Sequence, residues 1–196
     1  MIFVRRAVTV TLLLIGCGTP ELGQSIREIN PTDLCADAVP AVLDVPAGQQ
    51  LKAAYAADGV QIYLCSPTAS GAYAWTFRAP RASLLDPQGK VVGTHFAGPT
   101  WQFQDGSSVR AARVAGATVD ATAIPWLLLR AVANTDSPDG DGRFADITYV
   151  QRLSTTGGLA PSGGCDAAHV GAEADVPYAA DYFFYHAGGN GSRQCR

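Results

Sequence analysis

The stretch YAWTFRAPRASLLDPQGKVVGTHFAGPTWQFQ, residues 73–104, decides the fold class. Runs rich in Val, Phe, Trp and Tyr follow one another at short intervals, and Gly, Pro or Asp breaks each one. In YAWTF the aromatics Tyr73, Trp75 and Phe77 alternate with Ala74 and Thr76, so an extended backbone puts all three on one face, toward a core or a ligand. DPQGK, 86–90, carries Pro in its corner and Gly at its end, which is hairpin-turn chemistry. The pattern continues outward through QLKAAYA and VQIYLC before it, and through SVRAARV, WLLLRAVA and FADITYVQRL after it. Short β-branched and aromatic runs between turn residues predict an all-β chain, an antiparallel β-sandwich or barrel. WLLLRAV is apolar on both faces and reads as a central strand. DITYVQRL alternates, with Ile147, Tyr149, Gln151 and Leu153 on one face and Thr148, Val150 and Arg152 on the other. Only CDAAHVGAEAD, 165–175, reads as helical, giving one short segment near 166–174 that Gly171 keeps brief.

A chain of 196 residues supports one domain with a proper core. Hydrophobic residues make up 47% and charged residues 16%, the balance of an ordered globular protein and not of a disordered one. The net charge of −3 and the absence of any basic cluster denser than Arg5 and Arg6 exclude a nucleic-acid footprint.

The N-terminus, MIFVRRAVTVTLLLIGCG, runs from basic to apolar to small residues, and its apolar part is too short to span a bilayer. That order is a secretory signal, and its end, Leu14, Ile15, Gly16 and Cys17, resembles the bacterial lipoprotein signal. The resemblance implies cleavage before Cys17 and acylation of that residue, so we expect residues 1–17 as a lipoprotein-type signal and a membrane partner through the lipid anchor. Residues 18–38 read as a flexible tether, 39–187 as a single β domain and 188–196 as a Gly-rich tail. The expected location is the cell envelope, as an outer-membrane lipoprotein or a periplasmic protein. With Cys17 set aside, Cys35, Cys65, Cys165 and Cys195 remain. An even number in an oxidising compartment predicts two disulfides, with three connectivities open.

VPAGQQL, GVQIYLC, YAWTFRAP, LLDPQGKVVGTHFAGPTWQFQDGSSV, AIPWLLLRA, ITYVQRLSTTGG and GCDAAHVGAEADVPYAADYFFY occur in that order. Together, from about Leu43 to Tyr185, they resemble the DUF3455 family of secreted bacterial and fungal proteins, whose function is uncharacterised. The resemblance implies a single secreted domain. The family pattern includes Cys65 and Cys165, which supports pairing them; the second bridge we favour, Cys35 with Cys195, lies outside the matched core and would tie the chain ends together. Some fungal relatives carry a malate dehydrogenase label, but this chain has no G-x-G-x-x-G between a strand and a helix, and no cofactor is expected.

Candidate chemistry is sparse. No G-x-S-x-G elbow is present, and paired cysteines leave no thiolate nucleophile. Asp166, His169 and Glu173 stand three and four residues apart, so a helix would place them on one face as metal ligands, with His95 or His186 adding a nitrogen. The simpler reading makes Asp166 a helix cap and Glu173 a solvated side chain. Asp136, Asp139, Asp141 and Asp146 gather in NTDSPDGDGRFAD, but Pro138 and the spacing break the calcium-loop order, which leaves a polar hairpin tip. His95 stands between small Gly93 and Trp101. We read it first as packing, with a carbonyl on its ring and Trp101 over it, and second as a pocket residue able to move protons. The candidate ligand residues are His95, Trp101, Trp75, Tyr178 and Tyr182, facing a small-molecule, glycan or peptide ligand. These observations describe a binding or envelope-associated module, and the rival is a metal-dependent enzyme built on His95 and His169.

Overall fold

The computed structural model describes residues 39–188; the signal, the tether, Cys17, Cys35 and Cys195 lie outside them. Eight strands, β1 (Gln49–Pro67), β2 (Tyr73–Leu85), β3 (Val91–Phe96), β4 (Thr100–Phe103), β5 (Ser108–Ala117), β6 (Trp126–Thr135), β7 (Ile147–Gly157) and β8 (Glu173–Ala187), pair each with the next. Every pairing is antiparallel, and β8 returns to pair with β1, so the sheet closes into a barrel in up-and-down order. Of the two all-β arrangements that the pattern allows, closure is the one adopted, and every strand has a neighbour on both sides.

The turns form as their residues dictate. Asp86 Oδ1 accepts from the backbone N–H of Gln88 at 3.0 Å and of Lys90 at 2.9 Å, and Gly89 supplies the positive φ of 76° that closes the hairpin. In β6, Leu127 and Leu129 face the barrel interior while Trp126 and Leu128 face outward. Leu43, Val45, Leu153 and Phe183 cover that outer face, and Gln151 Nε2 holds the strap by donating to the Leu43 carbonyl at 2.7 Å. The apolar character of both faces of WLLLRAV thus reflects an N-terminal strap over the barrel wall, since a closed sheet has no central strand.

One half of the interior is filled by Tyr55, Phe103, Phe144 and Phe184, with Phe144 stacked on Phe184 at 4.3 Å. Beneath them Asp105 accepts from Ser107 Oγ at 2.6 Å and from the Arg143 N–H at 2.7 Å, while Ser107 Oγ accepts from the Phe144 N–H at 2.9 Å. This network ties the β4–β5 and β6–β7 loops across the floor. In the second of those loops Asp136 Oδ1 accepts from the N–H of Ser137 and of Gly142 (2.8 and 2.7 Å), and Asp146 pairs with Lys52 and His186. These oxygens are engaged in holding a polar loop.

The segment 158–172 covers the other end. Cys65 and Cys165 form a disulfide across a sequence separation of 100 residues, Tyr63 donates to the Gly158 carbonyl at 2.7 Å, and Trp75 Nε1 donates to the Gly163 carbonyl at 2.8 Å. Here the helical expectation shrinks to one 3-10 turn, Ala167–His169, capped by the Asp166 side chain. The chain then leaves the turn because Gly171 has φ 86° and its N–H bonds to the Cys65 carbonyl, drawing the following residues into β8.

Candidate functional site

Above the aromatic half the barrel is not filled. A cavity of about 310 Å³ opens there, lined by side chains from all eight strands, among them Gln61, His95, Trp101, Arg113, Arg152 and Tyr182. An eight-stranded barrel is just wide enough for side chains to fill it or to hold one small ligand, so a residual cavity is a property of these particular side chains. Phe77 sits at its lip, 56% exposed, with its ring edge-on to Tyr63.

His95 occupies the centre of the wall. Register places Ala82 beside it on β2 and Trp101 beside it on β4, a small neighbour and a flat one. The imidazole stacks on the Trp101 indole at 4.3 Å with only 4° between planes, and the Tyr182 ring meets both edge-on at 5.1 and 5.2 Å. Small Gly93 does not open space in the wall. A Cβ there would lie 2.5 Å from the Gln102 carbonyl oxygen, so this glycine serves a close approach of β3 to β4.

Nδ1 of His95 stands 2.9 Å from the Thr100 carbonyl, which can only accept, so Nδ1 carries the proton. Burial pushes the pKa down to about 3, the Thr100 bond opposes that shift, and the nearby Arg152 charge adds to it. At neutral pH the ring is therefore uncharged, with a lone pair on Nε2. So weak a base is unsuited to proton abstraction near neutrality. His95 is buried with a carbonyl on its ring and Trp101 over it, and it also lines the cavity.

The remaining polarity is one-sided. Arg78, Arg113 and Arg152 line the cavity, and no Asp or Glu does. Arg78 is paired with Glu173. Arg152 donates to the Pro125 carbonyl at 2.8 and 3.2 Å and lies against the Tyr182 hydroxyl. Among the described residues neither Arg113 nor Arg152 has a carboxylate partner. Two deeply buried nitrogens, Gln61 Nε2 and Trp101 Nε1, have no acceptor, and both belong to cavity-lining residues that are 2% and 1% exposed.

Of the ligand residues expected from the sequence, His95, Trp101 and Tyr182 come together in this wall. Tyr178 stands behind it, its hydroxyl 3.3 Å from that of Tyr182, and burial raises the pKa of both. Trp75 is elsewhere, holding the 158–172 segment. The expected metal group is not assembled. His169 Nδ1 bonds Asp166 at 2.7 Å on the exposed turn, Glu173 belongs to β8, and among the described residues no three His, Cys, Asp or Glu side chains are placed to hold an ion.

Over residues 46–186 the chain matches a family described as a protein of unknown function, DUF3455. The chain belongs to the DUF3455 family. No curated protein and no solved structure matches it. The matched segment of this DUF3455 chain spans every strand from β1 to β7 and all of β8 but its final residue, so the cavity lies wholly within the family domain. Gln61, Arg113 and Arg152 are the polar residues of the cavity wall that sequence reading missed. The signal was present: Arg152 shares its face with Val150, a face that turns out to be the interior one.

Proposed function

We propose that this DUF3455 protein is a secreted, envelope-anchored domain that binds a small molecule inside its barrel. The observation that carries this reading is the 310 Å³ cavity at the centre of a wall contributed by all eight strands, a volume at the small end of the range that ligand sites occupy. Close packing is the rule for protein interiors, so a sizeable cavity beside two unpartnered buried N–H groups is a feature kept for occupancy. The signal-like N-terminus ending at Cys17 supports the envelope part, and the Cys65–Cys165 disulfide suits an oxidising compartment.

Two experiments test the two halves. Native mass spectrometry of protein purified from cells without denaturation should show a small-molecule adduct that organic extraction releases. Leu127→Trp, which fills the cavity from its apolar wall, should fold and lose that adduct. A folded wild-type protein that never retains a ligand in native purification or in a screen of small molecules sinks the binding reading. For the anchor, Cys17→Ala should move the protein from the membrane fraction to the soluble one and abolish acylation; an unchanged distribution rejects the lipoprotein assignment.

A further inference from the structure

The geometry points to a small organic anion as the occupant of this cavity, its oxyanion head held by Arg113, Arg152, Gln61 and Trp101 and its apolar body lying against Leu127 and Leu129. This rests on the binding reading above and specifies its ligand class.

Charge carries the inference first. The chain as a whole is acidic, with 17 Asp and Glu against 14 Lys and Arg, yet the cavity lining holds three arginines and no carboxylate. Glu173 neutralises Arg78, which leaves Arg113 and Arg152 without a described counter-charge. Arg152 is half-buried and meets only a carbonyl and a hydroxyl. A guanidinium removed from water favours an anion, and its planar donors suit the two oxygens of a carboxylate.

Unsatisfied hydrogen bonding is the second, independent observation. Gln61 Nε2 and Trp101 Nε1 are donors, and each lacks an acceptor in the protein. Leaving a buried donor unpaired is costly, so an incoming group that accepts is favoured and one that only donates is not. Among the described residues of the cavity wall, the unmet groups are thus the Arg113 and Arg152 cations and these two donors, beside the uncharged His95 imidazole. That ring is neutral, so the positive character of the site comes from arginine and persists across ordinary pH.

Size sets the third limit. The cavity is roughly twice an engineered apolar cavity of about 150 Å³ that holds benzene, which leaves room for one ring and a short acidic arm.

The test uses the full mature protein and isothermal titration with phenylacetate, its neutral isostere phenylacetamide, and a neutral naphthalene fluorophore. Phenylacetate should bind at least about tenfold tighter than the amide, with an affinity that stays flat between pH 5.5 and 8 because His95 and Tyr182 stay neutral there. Arg152→Gln should abolish the preference. Because Arg152 also anchors the Pro125 loop, Arg113→Gln, at an exposed guanidinium with no described partner, provides a second variant and should reduce the preference several-fold with an unchanged melting temperature. Equal binding of acid and amide, or a preference for the amide, overturns the anion assignment and leaves small-molecule binding intact. Binding of the naphthalene probe alone does the same. Failure of all three probes removes the anion assignment, and an empty native mass spectrum beside it removes the binding reading as well.

Discussion

The two halves of the barrel interior are built from the same eight strands and obey opposite rules. In the floor half, Tyr55, Phe103, Phe144 and Phe184 interlock ring against ring, and Asp105 and Ser107 satisfy the loop N–H groups beneath them. In the cavity half, arginine, glutamine and histidine side chains stand among Trp101, Leu127, Leu129 and Tyr182, two buried donors lack acceptors, and the centre is open. A protein that needed only stability would have filled both halves as it filled the first. The difference teaches that the floor holds the barrel's shape while the cavity half keeps polar groups that stability alone disfavours.

Truncation of the packed half should produce the largest effect. Phe144 is fully buried between Tyr55, Phe103 and Phe184, so Phe144→Ala should lower unfolding stability by about 3 to 5 kcal/mol in urea denaturation. A loss below about 1 kcal/mol would mean that the floor is not the stabilising half. Next comes the staple over the cavity end. The double variant Cys65→Ala with Cys165→Ala should lose about 2 to 4 kcal/mol, since the bridge closes a loop of 100 residues in the unfolded chain. Protease sensitivity should then rise first in 158–172, the segment the bridge holds.

His95 supplies the third contrast, read through pH. Its folded pKa of about 3 lies below the ordinary 6.5, so between those values the unfolded chain binds the extra proton. Stability is therefore complete above about pH 6.5 and falls as the pH is lowered, by about 2 kcal/mol at pH 5. The decline continues toward pH 3. In His95→Gln this part of the pH slope should vanish; an unchanged slope would show that other groups carry it. The smallest effect should run the other way. Gln61→Leu removes a buried unpartnered donor from the cavity wall, and replacing it with an apolar side chain should raise stability by about 1 kcal/mol while weakening ligand retention. A destabilised Gln61→Leu would erase the distinction between the halves.

Much of the packed half could be read in advance. Short β-branched and aromatic runs between turn residues mark the strands, because turn residues act locally and strand side chains repeat every two residues. Alternation in DITYVQRL, however, sets Ile147 and Val150 on opposite faces where the structure buries both in the interior. The hairpin at Asp86–Lys90 needed no tertiary information. The stacking of Trp101 over His95 was also anticipated, because the tight turn at 97–99 returns β4 directly beside β3. The cavity half was less legible. Arg113 sits after a register shift in β5, and Ile147 shares the interior with Val150 only because a bulge intervenes, so simple parity misassigns one of them. Trp75 shares a face with Phe77, yet a loop from beyond β7 covers it, a contact no local pattern contains.

The all-β class, the turns, the family and the cysteines available to staple the domain were legible in the chain alone, because each of these follows from local residue chemistry or from a run of motifs in order. Tertiary structure was needed to close the sheet into a barrel, to bring Arg152, Arg113 and Gln61 together with His95 around one cavity, and to hold Glu173 on Arg78, away from the exposed Asp166–His169 pair. Closure and convergence depend on pairing β1 with β8 across more than a hundred residues, and on bulges that turn single side chains inward. Those relations are set by the whole sheet at once, so no window of sequence contains them.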